Sequence, residues 1–189
     1  MTGSTHFSFG ILAGVYMTLA GYQVGDATAF VMATALASLV PDIDHPGSTI
    51  SDLIKPISVA YNWFERRIMP NGMQHRGITH TLILPIILLI CWQWYQEPLL
   101  LAVSVGILSH IALDCLTEQG APLLWPITKK RLSIGLANTG TRGEDAVHWL
   151  IWVGMVVLVV QHYGWSDDIA NAFDQGSELL AEVRRESAK

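Results

Sequence analysis

The chain has 189 residues, 51% hydrophobic and only 14% charged, against about 25% charged in an average soluble domain. A mean hydropathy of +0.37 excludes a disordered chain, a collagen or a coiled coil, and a net charge of −5 argues against a nucleic-acid partner. Two cysteines, Cys91 and Cys115, form neither a disulfide framework nor a zinc-finger spacing.

Charged residues are absent from 7–25, 27–41, 77–96, 98–113 and 146–166. A helix needs about 20 apolar residues to cross a 30 Å hydrocarbon layer. The first, third and fifth stretches reach that length, and the other two reach it by including polar residues at their ends. The pattern predicts an all-α polytopic membrane bundle of about five transmembrane helices, near 6–24, 25–42, 79–96, 98–116 and 146–164. A soluble helical domain with a very apolar core is the alternative. No Lys or Arg precedes the first stretch, so it reads as a retained helix rather than a cleaved signal. Residues 1–165 are expected to form one membrane-embedded domain. Residues 166–189 read as an acidic, solubilising tail, although Ile169, Phe173, Leu180 and Val183 recur at roughly helical spacing.

Loop charge sets the expected orientation. The 43–76 loop carries Lys55, Arg66, Arg67 and Arg76, and the 117–145 loop carries Lys129, Lys130, Arg131 and Arg142. The short connections near Asp26 and Glu97 carry no Lys or Arg. By the positive-inside rule both long loops face the cytoplasm, which puts the C-terminal tail on the far side.

Six of the seven histidines sit in compact polar motifs: Thr5-His6, Pro41-Asp42-Ile43-Asp44-His45, His75-Arg76-Gly77-Ile78-Thr79-His80, Ser109-His110 with Asp114, and Glu144 with His148. Imidazole and carboxylate are the ligand set for zinc and for harder ions such as manganese. Each motif has a plainer alternative. His6 alone is an interfacial histidine, Asp44 caps a turn after Pro41, and His110–Asp114 or Glu144–His148 is an i,i+4 helix pair. His75 and His80 lie about 140° apart on a regular helix, so they converge only if Gly77 turns the chain. The conjunction is more specific than any part. If the chain crosses the membrane alternately, all five motifs reach the same end of the bundle, the end that loop charge assigns to the cytoplasm. Ionisable groups in such places mark function by default. His162 falls at the opposite face, beside Tyr163 and Trp165, and reads as part of an aromatic belt.

The run from Thr5-His6 through Pro-Asp-Ile-Asp-His, His-Arg-Gly-Ile-Thr-His-Thr and Ser-His-Ile-Ala-Leu-Asp resembles the membrane-bound metal-dependent hydrolase family, whose YdjM-like members are described as LexA-regulated inner-membrane hydrolases. The resemblance covers about residues 1–163 and extends to Asp114-Cys-Leu-Thr-Glu-Gln-Gly and the following Trp-Pro pair. It implies a bacterial inner-membrane protein with a divalent-metal site. His110-Ile-Ala-Leu-Asp114 also looks like the His-x-x-x-Asp pair of zinc-dependent phospholipases C and single-strand nucleases.

The leading expectation is a divalent-metal-dependent hydrolase, with zinc as the expected ion and manganese as the alternative. Its substrate would be a phosphoester in a membrane lipid or lipid-linked molecule. No His-Glu-x-x-His or Gly-x-Ser-x-Gly motif points to an amidase or a serine hydrolase. His6, Asp44, His80, His110 and Asp114 are the expected direct ligands. Asp42, His45, His75, Glu144 and His148 are expected to hold a second ion or to orient the ligands. Glu144, or else Asp42, is the candidate general base. Arg76 is a candidate for a phosphate oxygen, and Lys129, Lys130 and Arg131 for anionic lipid. The rival expectations are a transporter and a membrane protein whose helices a metal ion staples together.

Overall fold

The computed structural model describes residues 1–68, 76–165, 171, 172 and 175. Contacts divide the chain into two units, Met1–Trp152 and Val153–Lys189. Among the described residues there are seven α-helices and no strand, only two isolated bridges in the 117–137 segment.

Local chemistry sets the helix boundaries. After α1 (Gly3–Leu19), Asp26 opens α2 (Ala27–Ala37) by accepting a 2.7 Å hydrogen bond from the Ala29 N–H. Helix α2 ends at Ser38, and a 3-10 turn, Val40–Asp44, with Pro41 in its first turn, follows. Ser48 caps the short α3 (Thr49–Leu53), and α4 (Lys55–Ile68) follows directly. A second 3-10 turn, Ile78–His80, precedes α5 (Ile83–Tyr95), which stops at Gln96 in the left-handed conformation. Pro98, in the first turn where its missing N–H is harmless, starts α6 (Pro98–Cys115). The last helix is α7 (Arg142–His162).

Helix α6 is the hub of the first unit. It packs against α1, α2 and α5, and α1 packs against α2. Small residues let the backbones approach, as in membrane bundles generally. A Cβ on Gly106 would lie 2.4 Å from the Thr34 carbonyl oxygen, and one on Gly10 would lie 2.9 Å from the Ala35 Cα. Buried hydroxyls along these contacts bond to carbonyls: Thr34 to Phe30, Ser38 to Ala35 and to His6, and Ser104 to Pro85. Leu101, Ala102 and Phe30 form one apolar cluster, Ile107 and Ile111 a second, and Leu113 with Ile151 of α7 a third.

Among the described residues, three helical segments are long and apolar enough to cross a membrane: Ala27–Asp44, Pro98–Cys115 and Arg142–His162. The expected five spans overstate this. Helix α5 has 13 residues and α1 has 17, about 20 and 26 Å at 1.5 Å per residue. The charge-free stretch 77–96 is long, but its first six residues fold as a turn and an approach rather than as helix. The segment read as a 43–76 loop contains both α3 and α4.

In the second unit, the His162 ring meets Tyr163 edge-on at 5.1 Å, and Tyr163 stacks on Trp165. Most of the acidic tail, with its helical spacing, lies outside the described residues.

Candidate metal centre

Helix geometry puts His110 and Asp114 on one face of α6, one turn apart, with both side chains fully buried. The Ile78–His80 turn brings His80 against them, and the first turns of α1 bring His6. His80 Nε2 lies 3.1 Å from His110 Nε2 and 3.2 Å from Asp114 Oδ2, and His110 Nε2 lies 3.4 Å from the same oxygen. His6 stacks on His110 with ring centroids 3.7 Å apart, and its Nε2 is 3.4 Å from Asp114 Oδ1. Asp42 approaches from the Val40–Asp44 turn, its Oδ1 3.7 Å from His110 Nε2. Two overlapping donor groups result, His80–His110–Asp114 and His6–Asp42–His110.

The second contacts of the imidazoles fix which nitrogen faces inward. The Ser38 carbonyl accepts from His110 Nδ1 at 2.6 Å. That leaves His110 Nε2 with its lone pair toward the cluster. His80 Nδ1 lies 3.2 Å from Asp44 Oδ2 and 3.0 Å from Thr79 Oγ1. Thr79 in turn donates to Asp44 at 2.9 Å. This carboxylate–imidazole arrangement is the one that orients metal-binding histidines. With both Nδ1 atoms engaged, two Nε2 lone pairs and a carboxylate oxygen converge on one place, and only a positive charge there removes their repulsion. Burial disfavours charge on His80, but hydrogen bonds to Asp114 and Asp44 outweigh it and raise its pKa to about 9. A proton on His80 is thus one solution.

A metal ion is the other, and the donor set fits one. Tetrahedral zinc with bonds of about 2.0–2.1 Å sets its ligand atoms about 3.3 Å apart, against the observed 3.1, 3.2 and 3.4 Å. The buried His6 Nδ1 makes no hydrogen bond, and Nε2 has only its 3.4 Å approach to Asp114, although buried polar atoms ordinarily are well paired. That imidazole is the second sign of fit.

The candidate residues from the sequence are placed as follows. His6, Asp42, His80, His110 and Asp114 come together. Asp44 stands behind His80 rather than beside the convergent nitrogens: its Oδ2 also accepts from the Gly77 N–H at 3.2 Å. His45 is exposed on the wall of a cleft of about 470 Å³. The same cleft is lined by Asp42, Arg76, Ser48, Gln119 and Thr139, so it opens onto the cluster. His148 is engaged elsewhere, 3.4 Å from both Thr5 Oγ1 and Ser8 Oγ. His75 lies outside the described residues.

Glu144 and Arg76 are held by contacts within the protein. Glu144 Oε1 accepts from the Thr2 N–H, from Thr2 Oγ1 at 2.7 Å and from Thr5 Oγ1 at 2.8 Å, and Oε2 accepts from the Gly140 N–H at 2.7 Å. A carboxylate so occupied ties α7 to the start of α1 and is ill suited to take a proton from water. Arg76 is buried, with a positive φ of 58°. Its Nη2 lies 2.9 Å from Asp114 Oδ1, and its Nη1 donates to Thr117 Oγ1 and the Gly120 carbonyl. It holds Asp114 in place, leaving little of the guanidinium for a phosphate.

Sequence reading missed Thr79, the Ser38 carbonyl and Glu65. Buried Glu65 accepts from Tyr61 and from the Ile78 N–H, each at 3.0 Å. Burial and the charge of Asp44 push its carboxyl upward. A signal existed: Ser58, Tyr61, Asn62 and Glu65 form a polar stripe at i, i+3, i+4 and i+7 on an otherwise apolar and cationic helix.

The family model described as YdjM inner membrane protein matches residues 1–168. The chain is 30% identical over 188 residues to the inner membrane protein YdjM of Escherichia coli strain K12, covering 90% of this chain and 92% of that one, and the same figures hold for YdjM of Shigella flexneri. It is also 30% identical over 151 residues to YvsG of Bacillus subtilis strain 168, covering 78% of this chain and 87% of that protein. No solved structure matches. A match spanning the cluster, its supporting turns and the membrane helices places the chain in the YdjM family of inner membrane proteins.

Proposed function

We propose that the chain is a divalent-metal-dependent hydrolase of the bacterial inner membrane, acting on a phosphoester of a lipid or lipid-linked substrate with its site at the cytoplasmic face. The observation that carries this is the convergence of His80 Nε2, His110 Nε2 and Asp114 Oδ2 within 3.1–3.4 Å of one another beneath a polar cleft. His80, His110 and Asp114 would hold the ion, with His6 available to it. Zinc suits the imidazoles, and manganese suits the carboxylates.

A bound divalent ion supplies Lewis acidity and lowers the pKa of water toward about 7. The remaining chemistry belongs to the chain. Asp42, 16% exposed in its side chain, is the carboxylate that faces both cluster and cleft, and it accepts the proton of the attacking water. Arg76 fixes Asp114, the Ser38 carbonyl fixes the His110 tautomer, and Asp44 with Thr79 fixes His80. Buried walls keep bulk water from the cluster, and the cleft receives a polar headgroup while the substrate's chains remain in lipid.

One observation favours a second reading. Four of the five convergent side chains, those of His6, His80, His110 and Asp114, are at most 1% exposed, as suits an ion that staples α1, α6 and the Ile78–His80 turn without chemistry. A transport path gains less support, because Thr34, Ser38 and Ser104 bond to backbone carbonyls within the bundle. Asp42→Asn separates hydrolase from staple in a phospholipase and phosphodiesterase screen with and without chelator. The hydrolase keeps its metal and loses about 100-fold or more in turnover. A wild type that cleaves no substrate of either class while holding its metal supports the staple.

A further inference from the structure

Helix α4 is amphipathic the unusual way round. Its inner stripe is polar and docks on the turns that carry the site. Ser58 Oγ and Asn62 Nδ2 donate to the Ile43 carbonyl, between Asp42 and Asp44, at 2.9 and 3.2 Å. Glu65 accepts from the Ile78 N–H, two residues before His80. The outer face carries Val59, Trp63 and Phe64, each half or more exposed, with Leu53 of α3 exposed at 77%. Apolar groups on this scale mark an interaction surface. Lys55, Arg66 and Arg67 are interleaved with them, and the Arg67 guanidinium lies 3.8 Å over the Trp63 ring. A groove of about 560 Å³ runs between α3 and the cationic edge of α4, lined by Lys55, Val59, Trp63, Arg66 and Arg67, with Asp52 as its one acid.

Three cations among aromatic and aliphatic side chains complement an anionic lipid surface, whose phosphates and acyl boundary lie a few ångströms apart. Each Lys or Arg near such a surface contributes about 1 kcal/mol. A protein partner would not require this alternation of cation and aromatic along one helix. The position of α4 agrees, because α3 and the Val40–Asp44 turn join it directly to the end of the Ala27–Asp44 span. We propose that α4 is an interfacial helix that lies in the anionic leaflet, with Val59, Trp63 and Phe64 at the acyl boundary and phospholipid phosphates on Lys55, Arg66 and Arg67. The inner face then links lipid binding to the placement of Asp42, Asp44 and His80. This holds whether or not the metal cluster is catalytic.

The test is hydrogen–deuterium exchange on the full chain in nanodiscs of phosphatidylcholine alone or with phosphatidylglycerol added. Amides of 55–68 should exchange about ten- to a hundredfold more slowly in the anionic discs, as three surface cations allow. Lys55→Gln with Arg66→Gln and Arg67→Gln should abolish that difference while α6 amides stay protected. Trp63→Ser with Phe64→Ser should speed exchange in both lipids and keep the difference. Equal wild-type rates in the two lipids would overturn the proposal, and that comparison decides alone if the triple variant fails to fold. So would the same slowing in detergent with glycerol phosphate, which would mean a soluble-phosphate site. Protection in lipid-free detergent that tracks a dimer's mass would also overturn it, assigning the face to a second copy of the chain.

Discussion

His110 is committed by its main-chain contact: Nδ1 bonds to the Ser38 carbonyl at 2.6 Å, so Nε2 faces Asp114 and His80 as an acceptor. His110→Ala and Asp114→Ala should each remove bound metal, read by elemental analysis. Asp44→Asn should lower metal affinity only about 10–100-fold, as the loss of an orienting carboxylate does, and His148→Ala should leave it unchanged. Glu144→Gln should retain metal yet lose about 2 kcal/mol of stability, because an amide cannot accept from all four donors that now meet the carboxylate. Thermal unfolding of the purified variant checks this. The pH response follows from His80. Its pKa is raised to about 9 in the folded protein, above the usual value of about 6.5. The resulting stabilisation is therefore complete below about pH 6.5 and lost as pH rises through about 9. Chelated protein should lose thermal stability across that window, and metal-loaded protein should not. The histidines and aspartates of the cluster were legible in the sequence because few side-chain types bind metals and because the i,i+4 pair is a local signal. The division between ligand and orienter was not, since it depends on which nitrogen of His80 meets Asp44. The roles of Glu144 and Arg76 also depend on contacts across more than 40 positions.

Among the elements, α6 organises the fold, and its contact with α2 at Gly106 leaves no room for a side chain. Gly106→Val should destabilise the bundle by about 1–3 kcal/mol or more through overpacking, because even a Cβ there would collide with the Thr34 carbonyl at 2.4 Å. Thermal unfolding in detergent reads the loss, and unchanged stability would mean that α2 and α6 are not so close. Helical class and helix order were legible from the charge-free stretches. Span count was not. Apolar composition does not distinguish helix from a turn such as Ile78–His80, whose buried Thr79 and His80 serve the cluster. Helix α4 was hidden for the opposite reason: its charges gave 43–76 the look of a loop.

At the scale of the whole molecule, the orientation proposed from loop charge has the long connections facing the cytoplasm. With Cys91 and Cys115 replaced by Ala, a cysteine at position 60 should resist a membrane-impermeant thiol reagent in intact cells, and one at position 175 should react. The reverse pattern would invert the topology and move the site to the other face. Beneath orientation and chemistry alike lies the claim that the buried His–Asp cluster holds a divalent ion. The most direct measurement is the metal content of the 189-residue chain, purified without chelator and re-equilibrated with zinc or manganese, beside His110→Ala. At least one tightly held ion per wild-type chain is expected, and none in the variant. A folded wild type that retains no ion, or a variant that retains as much as wild type, would contradict it.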